Sequence, residues 1–124
     1  MQLLHTFFQI TEKTSLAEET RYRIHLNAEH PIYADHFPGN PITPGVCMIQ
    51  IIKELASETL GGNLFIRKIV RVRYHQVIDP VATPDVELSI QILPQEENEY
   101  KVTALFSANE QKCAQFNLLI QPLP

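Results

Sequence analysis

A histidine, a run studded with prolines and then an almost unbroken apolar stretch give this chain its chemical focus. His36-Phe37-Pro38-Gly39-Asn40-Pro41-Ile42-Thr43-Pro44-Gly45 leads directly into Val46-Cys47-Met48-Ile49-Gln50-Ile51-Ile52. Imidazole exchanges a proton near neutral pH, whereas an amide only donates and accepts hydrogen bonds. His36 is therefore a candidate base. Gln50 is the one polar residue of its run, and a buried amide without a partner costs about 1–3 kcal/mol. Something must pair with it, whether a reacting group, a loop carbonyl or a second subunit.

Pro38, Pro41 and Pro44 recur every third residue, which leaves the loop few degrees of freedom and suits a group that must be held in one place. Gly39 and Gly45 let backbone N–H groups approach a ligand closely. The start of a helix after Pro44 presents N–H groups without intrahelical partners and a partial positive charge, so a carbonyl oxygen placed there is polarised. A backbone-bonded loop histidine, a turn glycine and a proline at the usual early helical position would produce the same letters.

The elements that must position these residues follow from periodicity. Residues 3 to 10 and 21 to 28 read as strands, the second because Tyr22, Ile24 and Leu26 alternate with Arg23, His25 and Asn27. Residues 11 to 20 connect them. Four prolines and a glycine between His30 and Pro44 predict a stiff loop. A helix then runs from Pro44-Gly45 to about Leu60 and stops at Gly61-Gly62-Asn63, whose residues tolerate positive φ. Its first two turns are apolar on nearly every side, the mark of a helix wrapped by protein, and Lys53, Glu54, Ser57 and Glu58 turn its later part toward water. Strands are predicted over 64 to 74, 85 to 93, 100 to 108 and 112 to 121. A buried helix with sheet before and after it implies an α+β architecture, an antiparallel sheet curled around the helix.

Size and composition narrow the class. At 124 residues with 44% hydrophobic content, the chain reads as one globular domain, 1 to 124. Cys47 and Cys113 form no CxxC pair and no His/Cys cluster has metal-ligand spacing, so a reduced protein without metal or cofactor is expected. The start, Met1-Gln2-Leu3-Leu4-His5, has no basic leader, and no window has the apolar length of a membrane span, which predicts a cytoplasmic protein. A net charge of −4 argues against a general affinity for nucleic acid. The charge is uneven, however. Arg67, Arg71 and Arg73 share one face of a strand whose other face holds Ile66, Val70 and Val72, with Lys68 and Ile69 as exceptions. That stripe is either a solvated sheet face or a landing place for an anionic partner.

From His36 to Gln50 the chain resembles the β-hydroxyacyl-(acyl carrier protein) dehydratases of fatty-acid biosynthesis, members of the hotdog-fold superfamily. His36-Phe37-Pro38-Gly39 and Pro41-Ile42-Thr43-Pro44-Gly45-Val46 follow that family's loop and helix entry, and the order of elements fits the fold over essentially the whole length. Tyr74-His75-Gln76-Val77-Ile78-Asp79-Pro80 is a looser match to the turn after the next strand. The resemblance implies a hotdog dimer or higher oligomer with an acyl tunnel between subunits. It implies His36 as the base that removes the α-proton of a 3-hydroxyacyl thioester. Phe37, Gly39, Pro44, Gly45 and Val46 would bind the substrate and polarise its carbonyl. Gln50 stands where the family has the glutamate or aspartate that protonates the departing hydroxyl. Where these enzymes commonly carry a glutamine, four residues on, the chain has Glu54. Residues i and i+4 share a helix face about 6 Å apart, so Glu54 is a candidate for the displaced acid.

Three functions compete. A lyase acting on thioesters of acyl carrier protein or coenzyme A would use His36, with Gln50 or Glu54 orienting water or hydroxyl, and Arg67, Lys68, Arg71 and Arg73 would dock an acidic carrier. An acyl-thioesterase would use the same polarising helix end. A catalytically weak acyl- or carrier-binding subunit of a mixed hotdog dimer would take its acid from the partner.

Overall fold

The computed structural model describes residues 2–36 and 38–123. Among them the strands β1 (Phe8–Ser15), β2 (Thr20–Leu26), β3 (Leu64–Tyr74), β4 (Asp85–Pro94), β5 (Tyr100–Ala108) and β6 (Gln111–Pro122) build one antiparallel sheet in the order β1-β2-β4-β5-β6-β3. Between β2 and β3 lie the short helix α1 (Pro31–Asp35) and the long helix α2 (Gly45–Leu60). This is the expected α+β hotdog arrangement.

The core forms between α2 and one face of the sheet. Cys47, Met48, Ile51, Ile52, Leu55 and Ala56 of the helix are buried, and so are Tyr22, Ile24 and Leu26 of β2, at the alternate positions read from the sequence. Val86, Leu88 and Ile90 of β4, Val102, Ala104 and Phe106 of β5 and Phe116, Leu118 and Ile120 of β6 complete the layer. Each buried Val, Leu, Ile, Phe or Met side chain contributes about 1.5–3 kcal/mol through loss of hydrated apolar surface. The helix is open on one side: Val46 is 67% exposed, and Gln50 is half-buried rather than fully enclosed.

The first predicted strand is displaced. Residues 3 to 7 form a turn in which Leu3, Leu4 and Phe7 are buried and the Phe7 N–H donates to the Leu3 carbonyl at 2.7 Å. The strand proper begins at Phe8 and continues through Ser15, into the first half of what the sequence suggests is a connector. As an edge strand with its outer half exposed on both faces, it carries no alternation for a pattern to reveal. The predicted loop from His30 to Pro44 also contains a helical turn, because Pro31 occupies the first helical position, where no N–H is needed, and the His30 Nδ1 accepts from the Ile32 N–H at 3.1 Å.

Two bulges in β3 change its faces. Its register against β6 shifts between Ile66 and Lys68 and again between Ile69 and Arg71. Ile66, Ile69 and Val72 therefore stand opposite Ile120, Leu118 and Phe116 on the core side, while Lys68, Arg71 and Arg73 stand opposite Leu119, Asn117 and Gln115 on the outside. The two exceptions in the sequence pattern are thus regular positions, and Arg67 and Val70 are the bulge residues.

Candidate functional site

His36 directly follows α1, where its N–H donates to the Ile32 carbonyl at 2.9 Å and closes the helical turn. Its side chain lines a cavity of about 650 Å³ with Ile42, Thr43, Pro44, Gly45, Val46, Met48, Tyr74, His75, Gln76 and Val77. Thr43 is buried and fixed from two sides, its N–H donating to the Ile78 carbonyl at 2.9 Å and its hydroxyl 2.9 Å from that of Tyr33. Burial pushes the Tyr33 phenol well above its usual range, so it stays protonated and holds this loop at any ordinary pH. The loop and the first turn of α2 are thereby held against each other, with the imidazole and the helix end facing one apolar space.

Pro44 precedes the helix in extended conformation and gives its own carbonyl to the Cys47 and Met48 N–H groups. The Gly45 and Val46 N–H groups come before the first intrahelical bond and are available to an acceptor in the cavity. Gly45 has a steric reason to be glycine: a Cβ there would stand 2.0 Å from the Tyr74 hydroxyl oxygen and 3.1 Å from its ring. Gly39 has φ of +78°, which glycine adopts without strain, but it does not line the cavity. Phe37 lies outside the described residues.

Gln50 and Glu54 face elsewhere. They line a separate cavity of about 400 Å³ with Gln2, Leu4, Lys53, Ser57, Glu58, Gly62, Asn63, Leu64 and Leu123. The Gln50 amide donates to Glu54 Oε2 at 2.8 Å, so the amide that demanded a partner has one on its own helix. Glu54 also accepts the Leu3 and Leu4 N–H groups, each at 2.8 Å. A carboxylate held by three donors is a clamp on the amino-terminal turn, and its geometry does not present an acid to the His36 cavity. Within one chain the structure brings His36, Pro44, Gly45 and Val46 together and leaves Gln50 and Glu54 on a different opening.

The basic strand is divided. Arg67 is ion-paired to Glu99 through both Nε and Nη2, holding that carboxyl below its usual range chiefly by hydrogen bonding. Lys68, Arg71 and Arg73 are exposed on the outer face. The remaining histidines are in part accounted for locally: His30 caps α1, His25 meets Asp85 at 2.9 Å and His75 meets Gln115 at 3.1 Å. Cys47 and Cys113 are buried, which raises their thiol pKa values and makes them poor nucleophiles. Among the described residues no three His, Cys, Asp or Glu side chains are grouped to hold a metal, and no helix is long and apolar enough to cross a membrane.

Tyr74, which the sequence places only in a loose match to a turn, lines the cavity as well. It ends β3 and is separated from Gly45 by 29 positions, so only strand placement could reveal their contact.

One long helix packed on a six-stranded antiparallel sheet, with a loop histidine beside the helix entry, defines a hotdog-fold protein of the dehydratase-like class. The family model described as ApeI-like, ApeI dehydratase, matches residues 11–117, and the chain belongs to that family. It is similar to the 3-hydroxyacyl-(acyl-carrier-protein) dehydratase FabZ of Syntrophobacter fumaroxidans, at 28% identity over 90% of this chain and 78% of that protein. The FabZ of Wolbachia pipientis wMel is also 28% identical, over 68% of this chain and 63% of that protein. Among solved structures, the dehydratase heterocomplex ApeI:P from Xenorhabdus doucetiae shares the fold, with a TM-score of 0.76 at 17% identity, covering 91% of this chain and 96% of that one.

Proposed function

We propose that this chain, acting as one domain over residues 1 to 124, dehydrates 3-hydroxyacyl thioesters delivered by acyl carrier protein, within a hotdog oligomer. The observation that carries this reading is the convergence of His36 with Pro44, Gly45 and Val46 on a single apolar cavity. The thioester carbonyl lies at the helix end while His36 takes the C2 proton, and the electrons move onto the carbonyl oxygen. Re-formation of the carbonyl expels the C3 hydroxyl, which leaves as water with a proton from a solvent molecule held by Gln50 of a second subunit. The imidazolium returns its proton to solvent.

A second subunit is supported by the surface beside the cavity. β3 is an edge strand whose Ile69 and Val70 are about half exposed, and Val46 and Val77 of the cavity lining are exposed as well. Lys68, Arg71 and Arg73 supply the positive field for an acidic carrier, while Arg67 is committed to Glu99. A mixed dimer whose partner brings a carboxylic acid is the second reading. It is favoured by the absence of any Asp or Glu among the described residues lining the His36 cavity.

The test exchanges the two side chains, Gln50→Glu with Glu54→Gln, which provides an acid at 50 while an amide oxygen remains for the amino-terminal N–H groups. Hydration of an enoyl thioester by the purified oligomer should rise by about 10²–10⁴-fold. No gain, with parent activity that depends on His36, would point to a partner-supplied acid. Release of free thiol without any change in enoyl absorbance would establish the thioesterase instead.

A further inference from the structure

We propose that the Tyr74 hydroxyl is a catalytic hydrogen-bond donor to the thioester carbonyl oxygen, adding a side-chain donor to the backbone N–H groups at the start of α2. This rests on the thioester reading above. Three observations meet at this residue. Tyr74 lines the same cavity as His36. Its hydroxyl lies directly over Gly45, so close that any Cβ at position 45 would displace it. Tyr74 is 58% exposed, and among the described residues its hydroxyl makes no hydrogen bond, so its donor is open to solvent or to a bound ligand.

The ring is held from the other side. Tyr74 meets Phe116 edge to face, with centroids 6.0 Å apart, and its backbone pairs with Ala114 of β6. That packing aims the para position at the helix end. The other polar side chains of the cavity are less suited: Thr43 is bonded to Tyr33, His75 to Gln115 and Gln76 to Gln111. As His36 withdraws the C2 proton, negative charge accumulates on the carbonyl oxygen beside Gly45. A neutral phenol donor strengthens its hydrogen bond as that charge grows, which favours the transition state over the bound substrate.

The probe is the (E)-but-2-enoyl thioester of N-acetylcysteamine, whose ultraviolet absorbance moves to longer wavelength when its carbonyl is polarised. A His36→Ala background prevents turnover. Saturating probe should show the red shift in His36→Ala and lose most of it in His36→Ala with Tyr74→Phe. With His36 intact, Tyr74→Phe should lower kcat by about 10²–10³-fold while KM changes only a few-fold. The phenyl ring keeps its contact with Phe116, so the melting temperature should stay near the parent's and loss of folding is checked separately. An undiminished red shift in the double variant overturns the role of Tyr74 and leaves the dehydratase reading intact. Failure of His36→Ala to bind the probe overturns both.

Discussion

At the scale of single residues, Gln50 and Glu54 show how a substitution changes meaning once its partner is known. From the sequence, the pair looked like an amide and an acid exchanged by one helical turn around a reaction centre. In the structure, Glu54 spans a gap of about 50 positions to hold Leu3 and Leu4, and Gln50 completes its shell. A carboxylate that accepts two backbone N–H groups makes charge-assisted bonds, each stronger than its neutral counterpart. Glu54→Ala should destabilise the protein by about 1–3 kcal/mol, lowering the melting temperature on the order of 5–10 °C. Amide exchange at Leu3 and Leu4 should accelerate most. Unchanged exchange there would remove the clamp role and reopen Glu54 as a functional acid.

At the scale of elements, the edge strand β3 sorts the chain's basic residues. Its bulges gather Lys68, Arg71 and Arg73 on the outer face and leave Ile69 half exposed on the other, while Arg67 reaches Glu99, the residue immediately before β5. The pairing leaves the Glu99 carboxyl with a depressed pKa in the folded protein. A depressed folded pKa contributes stability that is present above the unfolded value and is lost as pH falls through the folded one. Arg67→Gln should therefore move the Glu99 titration, followed by carboxyl carbon NMR, upward toward the ordinary glutamate range and flatten the acid-side loss of stability. Arg67 is solvent-exposed, which screens the pair, so the effect on neutral-pH stability should be small. A Glu99 titration that stays depressed in the variant would assign its shift to Gln121, which also donates to it at 3.2 Å.

At the scale of the whole molecule, the decisive question is how two chains meet. His36 and Gln50 line separate openings of one chain, so the proposed roles of base and water holder require the two to meet across subunits. Native mass measurement should give a dimer or an even multiple of it. Ile69→Glu, which places a charge on the half-exposed apolar edge, should shift the population to monomer and reduce thioester turnover by at least tenfold. A variant that remains dimeric and active would move the interface away from β3.

Much of this was legible in the amino-acid sequence, and the reason differs by feature. The bounds of α2, β3 and β5 follow from local signals: Pro44 before the helix, glycines after it, and apolar runs between turn residues. The His36 loop and its helix were legible because rigid, contiguous residues carry their geometry with them. β1 was misplaced because an exposed edge strand has no buried face to imprint an alternation. The single turn of α1 was hidden because proline, read as a breaker, is harmless at a first helical position.

The sequence by itself determined a histidine on a stiff loop, its place directly before a helix entry, and the order of strands and helix, because each depends on neighbours along the chain. Tertiary structure alone decided that Tyr74 overhangs Gly45, that Glu54 is tied to the amino terminus, and that the two halves of the expected acid–base pair face different openings. Those relations are set by strand order and bulges, which bring together residues that share no local signal.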